Sequence, residues 1–320
     1  MKLIIQVPCY NEESTLPMVV QGLPKELPSV DEIETLVIDD GSSDRTIEVA
    51  RQLGVNHIVR LGVNRGLAAA FMAGIRRCVE LGADIIVNTD GDNQYSGDSI
   101  RDLIAPIVEG RADLVVGERP IETIKHFSWT KKKLQRLGSR VVQQFSGTTV
   151  PDTTSGFRAY TAEAAMRLHV FNRYTYTLET IIQAGRRNMK ITHVPIQVNP
   201  KTRESRLIRS IPSYIRRSVG TILRAYVIYK PLRTFFYLSL PPALLGLALF
   251  ARFLVYYFAR GYGGHVQSLI LGAVLILVSF LLLILGVLAD LSSANRELTE
   301  ECLYLLRRQS RSATAGRRDE

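Results

Sequence analysis

Two apolar runs constrain this chain more than any other feature. Residues 235–258 carry a single charge, Arg252, and residues 266–289 carry none. Each run exceeds the roughly 20 residues that cross a bilayer as a helix. Only residues 259–265 separate them, so two spans here must form an antiparallel hairpin. Arg252 lies toward the end of its span, where it can snorkel to the interface beside Tyr256 and Tyr257. The Pro241-Pro242 pair predicts a kink or break in the first span. Nine Lys/Arg against Glu204 alone fill residues 201–233, and six Arg lie between Arg296 and Arg318, whereas the connecting loop has only Arg260. The positive-inside rule therefore places both flanks in the cytoplasm and predicts a multi-pass protein of the inner (plasma) membrane.

The charge is confined to those flanks. Residues 1–200 hold 23 Lys+Arg and 23 Asp+Glu, as an ordinary soluble domain would, and residues 201–233 supply +8 of the net +10. A basic stripe beside apolar spans points to anionic membrane lipids; nucleic acid would need such a patch on the folded domain and is not expected as a partner. Within the stripe, 211–229 mixes Arg216, Arg217 and Arg224 with Ile215, Val219, Ile222 and Leu223, a pattern suited to a helix in the membrane surface. The organisation expected is a domain over 1–200, a basic amphipathic segment over 201–233, the hairpin over 234–290 and a basic cytoplasmic tail over 291–320. Cys9, Cys78 and Cys302 are scattered and odd in number, which argues against a disulfide framework or a zinc site. The N-terminal apolar run is too short for a signal peptide and reads as a first strand. Two short spans and a broad amphipathic helix leave apolar surface on which protomers can assemble as a homo-oligomer.

Before the spans, strands alternate with helices. Residues 3–7, 35–38, 58–59, 85–87, 112–116 and 191–198 read as strands, with the first stopping at Pro8, and helices are expected at 15–22, through 53, at 68–81, 130–146, 162–168 and 177–188. That alternation implies an α/β domain with a mostly parallel, Rossmann-like sheet whose ligands gather at the carboxyl ends of the strands. Polar loops stand there: Tyr10-Asn11-Glu12, Asp39-Asp40-Gly41-Ser42, and Thr89-Asp90-Gly91-Asp92-Asn93-Gln94. Asp90 and Asp92 can share a face, and Gly91 lets the backbone turn so that both reach one hard cation, Mg²⁺ or Mn²⁺, whose shell a nucleoside diphosphate would complete. Taken alone, Asp-Gly-Asp is more often a solvated turn than a metal site, just as Asp39 and Asp40 taken alone read as helix caps.

Pro8-Cys9-Tyr10-Asn11-Glu12, Val37-Ile38-Asp39-Asp40-Gly41-Ser42-Ser43-Asp44, Asn64-Arg65-Gly66-Leu67, Asp90-Gly91-Asp92 and Asp152-Thr153-Thr154-Ser155-Gly156-Phe157-Arg158 together resemble, in order, the motifs of family 2 inverting glycosyltransferases. With the basic segment and hairpin behind them, the chain is similar to the polyprenyl-phosphate glycosyltransferases, the group that includes dolichyl-phosphate mannose synthase and bacterial undecaprenyl-phosphate glucosyltransferases. The resemblance implies a GT-A fold and transfer of a sugar from a nucleoside diphosphate sugar, UDP favoured over GDP, to a polyprenyl phosphate. It further implies that Pro8, Tyr10, Glu12, Asp39 and Asp40 hold the nucleoside, that Asp90, Asp92 and Gln94 hold the metal, and that Asp152 is base or positioning group. Arg119, Arg158, Arg203 and Arg206, with Ser205, are the candidates for the acceptor phosphate, because the planar guanidinium matches phosphate geometry. Glu118 stands where relatives commonly have Ser, and the segment from Arg203 to Arg206 lacks the relatives' Gly.

Other readings differ in their demands. A processive polysaccharide synthase would carry Gln-x-x-Arg-Trp after the catalytic Asp, but the sole Trp, Trp129, precedes Asp152. A lipid hydroxyl as acceptor would require a true base at Asp152, whereas a phosphate is already ionised and nucleophilic near neutral pH. A non-catalytic nucleotide-sensing scaffold would not need Asp90, Asp92 and Asp152 together.

Overall fold

Eight consecutive buried residues, Lys2–Cys9, form strand β1 in the interior of a seven-stranded sheet. In the computed structural model, residues 1–120, 142–143, 147–170, 176–200, 220, 227, 230–260 and 266–316 are described. The strands are β1, β2 (Glu32–Asp39), β3 (His57–Arg60), β4 (Ile85–Asn88), β5 (Leu114–Glu118), β6 (Arg158–Thr161) and β7 (Ile191–Pro195), in the order β3-β2-β1-β4-β6-β5-β7. All pairings are parallel except those of β6, which runs antiparallel between β4 and β5.

β1 does not stop at Pro8, as the sequence suggests, but continues to Cys9, pairing Pro8 with Ile38. The pairing pattern gives the reason. In a parallel strand alternate residues bond to opposite neighbours. The Gln6 carbonyl accepts from Thr89 on the β4 side and the Cys9 carbonyl accepts from Asp40 on the β2 side. Pro8 therefore faces the β4 side, where regular pairing already ends at Gln6, and its missing N–H forfeits no ladder bond. β5 lies two residues later than expected, and β7 ends at Pro195, with Val198 making only an isolated bridge to Tyr95. β6 is the element the sequence does not announce: Arg-Ala-Tyr-Thr shows no helical or strand period, and its pairing depends on two distant strands.

Helices α1 (Leu16–Gln21), α2 (Thr46–Gln52), α3 (Leu67–Glu80), α4 (Ile100–Val108), α5 (Ala162–Arg167) and α6 (Thr177–Arg186) accompany the sheet. α4 closes one core with Leu3, Ile5, Ile85, Val87, Val115 and Phe157, while α1 and α2 close another with Val7 and Val37. Burial of this kind is worth about 25 cal/mol per Å² of apolar surface, and it holds the strand ends in one plane from which the loops project.

The chain divides into two compact units, Met1–Thr221 with Glu301–Glu320, and Ile222–Glu300. The second holds most of α7 (Pro231–Arg260) and α8 (Val266–Gly316), both long and apolar enough to cross a membrane. No break occurs at Pro241-Pro242. The two prolines remove donors to the carbonyls four residues earlier, those of Tyr237 and Leu238, but α7 continues through them. α7 and α8 meet along small residues spaced by seven on α8. A Cβ on Gly246 would lie 2.9 Å from the Gly272 oxygen, one on Gly272 3.0 Å from the Gly246 oxygen, and one on Gly286 2.9 Å from Phe235; Ser279 Oγ donates to the Ser239 carbonyl at 3.0 Å.

The expected tail is also different. α8 does not stop near Ala289 but runs to Gly316, and its last part belongs to the first unit. There Tyr304, 3% exposed, donates to Glu163 at 3.0 Å and lies under the Arg167 guanidinium, while Arg307 donates to the Met166 and Leu168 carbonyls at 2.8 and 3.2 Å. Hydrogen bonds and an aromatic anchor hold Tyr304 and Arg307 of this basic segment. Most of the helix expected over 130–146 and of the amphipathic segment 211–229, and all of Arg203, Ser205 and Arg206, lie outside the described residues.

Candidate active site

The loops after β1 and β2 are stitched together by their own side chains. Asn11, held at φ 56°, donates its N–H to Ser42 Oγ at 2.9 Å and accepts from Ser43 N–H at 2.8 Å. Glu12 N–H donates to Thr46 Oγ1 at 2.9 Å, and Asp39 accepts from Ser42 N–H at 3.0 Å. Gly41 is required here. Its φ is 75°, and a Cβ would sit 2.6 Å from the Val63 carbonyl carbon. Asp40 reaches the same neighbour, accepting from Arg65 N–H at 2.7 Å and Gly66 N–H at 2.9 Å at the start of α3. Burial pushes the Asp40 carboxyl above its ordinary range despite those two bonds.

Among the nucleoside candidates, Tyr10 is 39% exposed and presents an aromatic face, whereas Glu12, Asp39 and Asp40 are buried and Pro8 lies inside β1. The Thr15 hydroxyl sits 2.7 Å from Glu12 Oε2 and 2.8 Å from the Gly91 carbonyl, and its single proton serves one of them. That hydroxyl ties the β1 loop to the acidic loop after β4. Gly91 permits the approach: a Cβ there would meet Cys9 Sγ at 3.1 Å and Glu12 Cγ at 3.3 Å.

Asp90 and Asp92 are half-buried, and Asp92 accepts from Gln94 N–H at 3.1 Å. The Asp90 carboxylate lies against Gly156, where a Cβ would be 2.9 and 3.0 Å from its two oxygens. A buried network sets this contact. Asn88 accepts from Gln6 at 2.8 Å and donates to the Gly156 carbonyl at 2.9 Å and to Tyr176 Oη at 2.8 Å; Gly156 N–H donates to Tyr95 Oη at 3.1 Å. Phe71 stacks on Tyr176 at 3.9 Å. Asn88, Tyr95, Tyr176 and Thr15 are site residues that sequence reasoning missed; the only signal was that Asn88 and Thr89 immediately precede the acidic pair.

Among the described residues, no group of three or more His, Cys, Asp or Glu side chains gathers into an all-protein metal cage. Two Asp carboxylates and the Gln94 amide oxygen are hard donors suited to Mg²⁺ or Mn²⁺, and a set this small fits a cation that keeps waters and takes substrate phosphates. A cavity of about 450 Å³ opens beside this loop, lined in part by Met18, Thr89, Asn93, Tyr95, Asp98 and Asn199.

Opposite in character is the pair at Asp152. Arg119 follows β5 and grips Asp152 with two parallel bonds, Nε to Oδ2 at 2.7 Å and Nη2 to Oδ1 at 3.0 Å, while Nη2 also donates to Thr154 Oγ1 at 2.8 Å. Thr154 N–H lies 3.2 Å from Asp152 Oδ1. The Asp152 side chain is fully buried and that of Arg119 is 10% exposed. Burial pushes the Asp152 carboxyl up, but the Arg119 charge and the bonds from Arg119 and Thr154 outweigh it and hold the group below the usual carboxylate range. The Arg119 guanidinium is correspondingly raised. An ionised carboxylate bound bidentately to a guanidinium is a weak proton acceptor and a strong anchor.

Arg158 does not join the acceptor-facing cations expected from the sequence. It is fully buried, and its nitrogens donate to the Ser155 carbonyl at 2.8 Å, Thr180 Oγ1 at 2.6 Å and the Thr153 carbonyl at 2.9 Å. Its position at the start of antiparallel β6 turns it inward, where it shapes the 152–156 loop from beneath.

The Glycosyl transferase family 2 model matches residues 4–168. Over 213 residues the chain is 32% identical to the UDP-N-acetylglucosamine–dolichyl-phosphate N-acetylglucosaminyltransferase of Methanococcus voltae, covering 60% of this chain and 83% of that protein. It is 26% identical to the polyprenol monophosphomannose synthase of Mycolicibacterium smegmatis, covering 61% and 76%. Among solved structures, glucosyl-3-phosphoglycerate synthase from Mycobacterium tuberculosis, in complex with Mn²⁺, UDP and glucosyl-3-phosphoglycerate, superposes with a TM-score of 0.57 at 20% identity, over 70% of this chain and 79% of that one. At that identity the likeness speaks to the fold alone: a mostly parallel GT-A sheet.

Proposed function

The chain belongs to glycosyl transferase family 2, with a GT-A fold followed by two apolar helices long enough to span a membrane, and from that premise we propose that it moves a sugar from a nucleoside diphosphate sugar to a polyprenyl phosphate. UDP-sugar is favoured over GDP-sugar as donor, the transfer is inverting, and the reaction runs at the cytoplasmic membrane face. Relatives named for transfer to dolichyl phosphate and polyprenol carriers support the acceptor. The basic flanks of the hairpin support a cytoplasmic domain and C-terminus and contact with anionic lipids.

In this reading Tyr10 packs on the base and Glu12, Asp39 and Asp40 shape the nucleoside pocket. Asp90 and Asp92, with Gln94, would hold Mg²⁺ or Mn²⁺, which when bound neutralises charge on the leaving diphosphate. Gly156 and Asn88 fix Asp90 from below. The observation that carries the acceptor assignment is the Arg119 clamp. Its Nε and Nη2 are taken by Asp152 and Thr154, so that among the described residues Nη1 remains to meet an incoming phosphate from a guanidinium held at two nitrogens. A phosphate acceptor, ionised already, needs placement more than deprotonation. The low proton affinity of Asp152 disfavours a lipid hydroxyl acceptor for the same reason.

The test is nucleotide release from UDP-glucose, UDP-N-acetylglucosamine and GDP-mannose by the purified chain with Mg²⁺ or Mn²⁺ and undecaprenyl phosphate. Release from at least one donor that depends on the lipid phosphate is expected; no release from any of them would sink the proposal.

A further inference from the structure

A second cavity, of about 340 Å³, is lined by α3 and its approach, within the first unit. Its charged lining is of one sign: Arg65 and Arg76 from α3 and its approach, and Arg307 from the end of α8, together with the His169 imidazole; none of its lining residues is Asp or Glu. Ala69 and Met72 contribute an apolar floor. Two of the three guanidiniums are held by backbone carbonyls. Arg307 is fixed by the Met166 and Leu168 carbonyls, Arg76 Nε donates to the Met72 carbonyl at 3.2 Å, and Tyr304 seats the α8 segment on Glu163.

Three guanidiniums brought together around one hollow repel each other, and a bound anion would relieve that repulsion. Planar donors select phosphate geometry, and the small apolar floor accepts a carbon skeleton beside it. We propose that this cavity is a second, non-catalytic binding site for the phosphoryl group of a phosphate-bearing ligand, supplied either as a free phosphate compound or as an anionic lipid headgroup. The site also borders the donor side of the molecule: Arg65 lines it, and the Arg65 backbone N–H holds Asp40. An anion there bears on the loop that α3 shares with the nucleoside pocket.

The experiment follows inorganic phosphate by ³¹P line broadening on the full chain in detergent with EDTA, in an Arg119→Gln background that removes the cation assigned to the transfer site. Saturable binding is expected, weakened at least tenfold by Arg76→Gln, about 1.4 kcal/mol, and recovered by Arg76→Lys. Absence of saturable binding, or binding indifferent to Arg76→Gln, would overturn the proposal. Dioctanoyl phosphatidate added as competitor identifies the source: displacement at a tenth of the phosphate concentration marks a lipid headgroup, and displacement only at comparable concentration marks a free phosphate. Hydrogen exchange on the wild-type chain needs no Arg119 substitution. Phosphate should slow exchange in 65–76 and 301–309, and unchanged exchange in both contradicts the proposal. Loss of sugar transfer in Arg119→Gln with phosphate binding intact separates this site from the proposed reaction.

Discussion

The molecule handles its two sets of candidate site carboxylates in opposite ways. Asp90 and Asp92 stand half-buried on a loop with a glycine between them, Asp92 accepting from Gln94 N–H and Asp90 lying against Gly156 above the Asn88 and Tyr176 network. Asp152 is fully buried and paired with Arg119. On the proposed reading, a cation site offers carboxylate oxygens to the ion and its phosphates, whereas a site for an anionic acceptor presents positive charge, so its carboxylate would serve to hold a guanidinium. The same residue type would then do electrostatic work on one side and mechanical work on the other.

Removing the charge on the first side should have the largest effect. Asp92→Ala is expected to lower kcat by at least ~10³-fold, on the scale of a lost electrostatic stabiliser, while polyprenyl phosphate binding measured in detergent stays unchanged. A parallel loss of lipid binding would erase the distinction between the two regions. Arg119→Gln comes next: kcat/KM for the lipid phosphate should fall about 10²-fold, with UDP binding intact. Because it strands a buried carboxylate, the same substitution should cost about 3–5 kcal/mol of stability in denaturant titration.

How much of this contrast was legible in the sequence follows from chain separation. The acidic loop is local: an apolar run ends in Asp-Gly-Asp, and strand periodicity places it at the sheet edge. The network beneath it joins Gln6, Asn88 and Tyr176 across separations of 82 and 88 residues, and no short-range pattern encodes such a meeting. Arg158 misleads for a related reason. Read locally it is a cation in a polar loop, and only the antiparallel insertion of β6 between β4 and β5 turns it into the core. The carboxylate-guanidinium grip of Arg119 on Asp152 spans 33 residues. Both residues drew attention separately, yet their pairing, which decides between base and anchor, belongs to the fold.

Titration sharpens the comparison at smaller amplitude. The Asp152 carboxyl is depressed in the folded chain, so its stabilisation is fully present above the unfolded value near ~3.9 and is lost as pH falls through the folded value. The stability difference between wild type and Asp152→Asn should hold constant from neutral pH down to about pH 5 and shrink below about pH 4. Asp40, raised by burial, acts with the opposite sign: the folded state takes up its proton first, and stability gains as pH falls from the folded value to the unfolded one. A pH-independent difference for Asp152→Asn in acid would show that its pairing is not ionic. The smallest change is Thr154→Val, which removes one half-buried hydroxyl from the grip and should cost about 1 kcal/mol, raising the acceptor KM a few-fold with kcat nearly unchanged.

The most direct measurement is the steady-state kinetics of Asp152→Asn against polyprenyl phosphate concentration and pH. If Asp152 anchors Arg119, the acceptor KM should rise at least tenfold. The variant should keep measurable turnover at saturating acceptor, and the pH profile should retain the limb set by ionisation of the acceptor phosphate near ~6. A fall in kcat of ~10⁴-fold at unchanged acceptor KM would contradict the account and make Asp152 the base.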